Sequence, residues 1–121
     1  MPYVCYTSDI MNTIRTGTFR WIIFKDGKDW MGTALEFNIT VVGKDPRVVE
    51  AELHEAVLGY LEAAKKSRGV RPQHLHRILN QVADEEYEKQ WALARKSMQT
   101  SVLSPLSPAI YKFGMANLAA V

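Results

Sequence analysis

One cysteine, Cys5, in 121 residues has no second thiol to pair with inside the chain, so a disulfide-stapled secreted scaffold is excluded and a reducing, cytoplasmic location is expected. No stretch approaches the ~18 consecutive apolar residues that a transmembrane helix needs, and no membrane partner is expected. Residues 1–16 carry Asp9 in their middle and lack the apolar run of a signal peptide. They read as a leader without structure, with Met11 as an alternative start. Charge of one sign is also scarce. There are 15 Lys+Arg against 13 Asp+Glu, a net +2, and no segment holds a basic stripe. Non-specific nucleic-acid binding calls for a far larger excess, so nucleic acid is not expected as a partner of the chain by itself. No glycine-rich phosphate loop and no serine-nucleophile motif occurs, and no cofactor is expected.

What is present is an ordinary globular composition, 47% hydrophobic and 23% charged, in a length that suits one domain with a tail. The run Phe19-Arg20-Trp21-Ile22-Ile23-Phe24 is aromatic and β-branched, and predicts a strand with Phe19, Trp21 and Ile23 on one face. Asp26-Gly27 supplies a tight turn. Residues 30–37 predict a second strand, with Met31, Thr33, Leu35 and Phe37 on one face. On its other face Gly32 and Ala34 leave room for something bulky. Residues 38–42 predict a third strand, completing an antiparallel meander. Asp45 then caps a helix with Pro46 at its first position. Val49, Leu53, Ala56, Val57, Tyr60 and Ala64 fall within about 100° on a helical wheel, the stripe that covers the sheet, while Leu58 lies off it.

Residues 72–80 fit a short helix better than a strand. Asp84-Glu85-Glu86 gives an acidic first turn and Arg95-Lys96 a basic last turn to a second amphipathic helix, which lines up Ala83, Tyr87, Trp91, Ala94 and Met98. After Gln99 the segment Ser104-Pro105-Leu106-Ser107-Pro108 breaks regular structure, and one charge, Lys112, remains. The expected fold is α+β. A three-stranded antiparallel sheet covered by one long helix occupies residues 17–70, a C-terminal helical extension spans 71–98, and an apolar tail spans 99–121.

The order strand, Asp26-Gly27 turn, strand, strand, Gly43-Lys44-Asp45-Pro46, then a helix with Glu55-Ala56-Val57 and Tyr60-Leu61-Glu62 resembles the HicB-type antitoxin domain over residues 19–66. The resemblance implies a partial RNase H fold, usually completed by a further strand, and a small ribonuclease toxin as partner, neutralised by covering its catalytic histidine. Many such proteins add a C-terminal DNA-binding segment. Here the strongest C-terminal helix opens with Asp84, Glu85, Glu86 and Glu88, so the chain resembles a stand-alone HicB-like protein.

The RNase H-like outline also raises metal-dependent nuclease work, or nucleic-acid binding, as the alternative function. That chemistry needs converging carboxylates. Asp26 and Asp29 belong to a hairpin turn, and Glu36 alone sits in a predicted strand, where a solvated strand-end role is expected. No enzymatic activity and no metal site are expected, since His74 and His76 lack a nearby cysteine or carboxylate. Trp21, Trp30 and Trp91 read as core in preference to a base-stacking platform. The candidate partner-binding residues are His54 at the edge of the helical stripe, Leu58 on its outer side, Trp91, and Tyr111 and Phe113 in the apolar tail. Because the stripe domain alone carries the resemblance, partner capture is expected to survive deletion of residues 99–121. The first strand is apolar on both faces, with Ile22 and Phe24 opposite Phe19, Trp21 and Ile23. Either the second helix covers that second face or another subunit does, and the leftover apolar surface leads to the expectation of a homodimer.

Overall fold

The computed structural model describes Asn12 and residues 17–66, 72–100 and 110–118, without the side chains of 72–75 and 97–100. Strand β1 (Thr18–Asp26) turns through Gly27-Lys28 into β2 (Asp29–Ala34), with Asp26 opposite Asp29. Gly27 has φ 65°, which the absence of a Cβ allows at no steric cost. A 3-10 turn (Leu35–Phe37) and Asn38, at φ 53°, lead into β3 (Ile39–Gly43). Helix α1 (Pro46–Lys66) follows, then α2 (Pro72–Leu79), α3 (Glu85–Thr100) and β4 (Ile110–Asn117).

The sheet has four antiparallel strands in the order β3-β2-β1-β4, where three were expected. The fourth comes from the expected tail. The breakers at 104–108 precede a run, Ile110-Tyr111-Lys112-Phe113, whose β-branched and aromatic residues suit a strand, and the free edge of β1 receives it. The second strand is also shorter than expected. The 3-10 turn sends Leu35 and Phe37 to opposite layers, where continued extension would have placed both on one face.

Both ends of α1 follow the expected chemistry. The Asp45 carboxylate accepts from Arg47 N–H at 2.9 Å, and its carbonyl accepts from Val49 N–H at 3.0 Å, opening the helix. Lys65 and Lys66 close it against the macrodipole. Val49, Leu53, Val57, Leu61 and Ala64 are buried against the sheet, with Ala56 and Tyr60 at the margin. The room left by Gly32 is filled by this helix. A Cβ at Gly32 would come within 2.8 Å of Val49 Cγ1.

Two cores lie on the two faces of the sheet. Under α1, Phe19, Ala34, Phe37, Leu53, Val57 and Leu61 pack together with Leu79 and Leu118. Under α3, Ile22, Phe24 and Leu35 pack with Ala83, Trp91, Ala94 and Ile110. The second face of β1 is thus covered within the chain, and the two-faced strand by itself does not call for another subunit. Asn12 is the one described residue of the expected leader. It is 2% exposed, donates from its amide to Leu79 O at 3.0 Å, and exchanges hydrogen bonds with Asn80, which ties this residue to the fold. Among the described residues no helix is long and apolar enough to cross a membrane.

Candidate functional site: a cleft between α1 and β4

The two helices are offset diagonally across the sheet. Helix α1 lies over β3 and β2 and reaches only the near side of β1, whereas α3 lies under β1 and β4 on the opposite face. Among the described residues, no helix covers the α1-side surface of β4 and of the neighbouring Trp21. A cleft of about 470 Å³ occupies it. Its floor is Phe19, Trp21 and Ala116, and its wall is Leu53 and Val57 of α1. Trp21 lies across β4 because Gly114 sits opposite it in register and has no side chain. A Cβ there would meet the indole at 3.1 to 3.3 Å.

The rim is polar. Arg47 lines it and meets the Asp45 carboxylate at 3.2 Å through NH2. The Arg47 hydrogen bonds hold the Asp45 carboxyl below its ordinary range, and Asp45 holds the guanidinium above its own. Glu50 accepts from Lys112 Nζ at 3.0 Å, a bridge from α1 to β4 that raises the ammonium pKa. Ala51 and His54 complete the rim, both exposed. From Glu50 to Glu62 the helix carries Glu50, Glu52, Glu55 and Glu62 and neither lysine nor arginine; Glu50 is bridged by Lys112 and Glu62 lies 3.7 Å from Lys66, while Glu52 and Glu55 are exposed.

The five expected contact residues separate here. His54 lines the cleft. Leu58, on the same helix, is half-buried and outside the cleft lining. Trp91 is a correction. It is 6% exposed and packs edge-on against Phe113 at 5.4 Å, with Arg20 over its ring at 5.8 Å, so its surface is used within the chain. Phe113 is half-buried by that same pairing, and Tyr111 is half-buried edge-on against Trp30 at 6.2 Å. Neither stands free on a tail, because β4 holds both in the sheet.

Glu36 is a second correction. Expected as a solvated strand-end residue, it sits in the 3-10 turn and accepts from Arg20 twice, from the backbone N–H at 2.6 Å and from Nε at 2.7 Å. The two outer nitrogens of the same guanidinium reach Glu88 of α3. Burial pulls the Arg20 pKa down, and the bonds to Glu88 and Glu36 more than offset it, so this cation stays charged. One arginine thus bridges both carboxylates and competes with any other cation there. Among the described residues no group of three or more His, Cys, Asp or Glu side chains is placed to hold a metal ion.

Sequence reasoning missed the floor of the cleft. Trp21 and Phe19 read as core, and Ala116 carried no signal. Against known protein families, curated proteins and solved structures, the chain has no match.

Proposed function

We propose that this chain is a non-catalytic protein-binding module, of the stand-alone HicB-like kind that its strand-strand-strand-helix order resembles, and that it holds a small basic ribonuclease toxin in the cytoplasm. The observation that carries this reading is the cleft: an apolar floor and wall with a polar rim, on a helix whose exposed surface also carries Glu52 and Glu55. An apolar anchor of the partner enters the cleft, and its basic surface lies along Glu52 and Glu55. This is the division of labour that interfaces show, with a desolvated centre for affinity and a charged border for encounter and specificity. The rim charges Arg47 and Glu50 already have internal partners, so a ligand need not neutralise them.

With the cleft as the binding surface, partner capture should not survive loss of residues 99–121. Deleting residues 99–121 removes β4, and with it Ala116, Gly114 and the Lys112 bridge, so the truncated chain loses one side of its own binding surface.

Co-expression with the products of the flanking reading frames tests the proposal. A small basic protein should co-purify, and its inhibition of growth should be relieved by this chain. Magnesium-dependent RNA cleavage by the purified chain, lost in Glu36→Gln, would establish the nuclease reading instead.

A further inference from the structure

The two edges of the sheet differ in how they are protected. Strand β3 has five residues, its α1-side face lies under α1, and it runs directly into Lys44, Asp45 and Pro46, charges and a proline that stop its extension. Such features are how edge strands avoid pairing with other chains. Strand β4 is eight residues long, contains no proline, and has one charge, Lys112. A lysine on an edge normally guards it, but this ammonium is drawn over the α1-side face by Glu50. No strand among the described residues pairs with the outer edge of β4, and Met115 on it is 59% exposed.

Its residue pattern selects a partner. In register with β1, Lys112, Gly114 and Ala116 stand opposite Ile23, Trp21 and Phe19 on the α1 side, while Phe113 and Met115 stand opposite Ile22 and Arg20 on the α3 side. Two copies of β4 paired antiparallel are related by a two-fold axis perpendicular to the sheet. That axis carries each face onto itself, so opposed residues share a face and the axis passes through a residue, never between two. Centred on Lys112 it would set two ammonium groups against each other. Centred on Phe113 it would place Met115 against Tyr111, the extra residue at the bulge between Ile23 and Phe24. Centred on Gly114 it places Phe113 opposite Met115 of the second copy and Lys112 opposite Ala116 of the second copy, each twice. Tyr111 then stands opposite Asn117, no two like charges meet, and the exposed Met115 gains an aromatic neighbour.

We propose that a second copy of this chain pairs with the outer edge of β4, antiparallel and in register about Gly114, giving one eight-stranded sheet. The axis keeps both α1 helices on one side. The two clefts then meet across β1-β4-β4-β1 as one trough flanked by the two α1 helices. This surface is independent of the toxin reading, because it requires only the edge and its register.

Sedimentation of the full chain over a wide concentration series, with charge variants at each edge, tests it. The expected mass is twice the 13.7 kDa of one chain. Met115→Lys, at an exposed position that leaves the fold intact by circular dichroism, should return it to one chain mass, and Val42→Lys on the β3 edge should leave the dimer unchanged. In a Cys5→Ser background, an equal mixture of Lys112→Cys and Ala116→Cys chains should cross-link far faster than either alone, since opposed Cα atoms lie about 4.5 to 5.5 Å apart, within disulfide reach. A single-chain mass at all concentrations overturns the proposal. So does a dimer that Val42→Lys breaks and Met115→Lys does not, or one in which the mixed cysteines fail to cross-link.

Discussion

The guanidinium of Arg20 on β1 meets the carboxylate of Glu88 on α3 as a two-pronged pair, NH1 to Oε1 and NH2 to Oε2, each at 2.8 Å. Its third nitrogen is held by Glu36. One side chain thus fastens α3 and the 3-10 turn to the first strand, over the face that Trp91 and Ile22 fill.

Removing this fastening should be measurable. Arg20→Leu leaves Glu36, 20% exposed, without its partner, and the loss of charge-assisted hydrogen bonds should lower unfolding free energy by about 2 kcal/mol. A double-mutant cycle of Arg20→Leu and Glu88→Gln should return a coupling of only about 1 kcal/mol, because Glu88 is 42% exposed and partly screened. Lys112→Met, which breaks the exposed bridge to Glu50, should cost less than about 0.5 kcal/mol in the same denaturation assay.

Tyr60 provides a pH signature. Its hydroxyl donates to Ile78 O at 2.6 Å and accepts from Gln81 Nε2 at 2.9 Å, tying α1 to the end of α2. Burial pushes its phenol above the ordinary value of 10.0, and the Gln81 bond draws it only part of the way back. A raised folded-state pKa means that the contribution to stability is whole below about pH 10 and is lost as pH rises through the folded value. Spectrophotometric titration should show one late-titrating tyrosine, absent in Tyr60→Phe. The variant's stability should fall less steeply than the parent's above pH 10.

Close packing of α1 on β2 predicts a rescue. Gly32→Ala should destabilise by about 1 to 3 kcal/mol, since its Cβ would overlap Val49 Cγ1. Val49→Ala removes that methyl and costs stability alone. The pair Gly32→Ala and Val49→Ala should be more stable than the sum of the two losses, as read from urea unfolding.

Much of the fold was legible because local signals agreed with one another. Two-faced β1, the Asp26-Gly27 turn, the Asp45-Pro46 start of α1 and the acidic opening of α3 each rest on residues within one turn or strand. What was not legible depends on contacts distant in sequence. Strand β4 read as a tail because nothing in Ile110-Tyr111-Lys112-Phe113 says which edge it meets. Leu35 and Phe37 alternate as a strand would, and only Asn38 in the left-handed region betrays the turn between β2 and β3. Glu36 looked solvated because its partners are 16 residues before it and, through Arg20, 52 residues after it. The cleft was invisible for the same reason. It exists where α1 stops short of β4, a fact about the offset of two helices, and of its lining only His54 stood out beforehand.

Whether the proposed partner occupies the α1–β4 cleft is read by calorimetric titration of the co-purifying basic protein into parent and Ala51→Trp chains. Ala51 is an exposed rim residue, so a tryptophan there should cost only about 0.5 kcal/mol of helix propensity. It would nevertheless fill the mouth of the cleft. Affinity should fall about a hundredfold, equivalent to roughly 2.7 kcal/mol, with the melting temperature of the chain nearly unchanged. Equal affinity in the two chains would contradict occupancy of the cleft and place the partner elsewhere on the molecule.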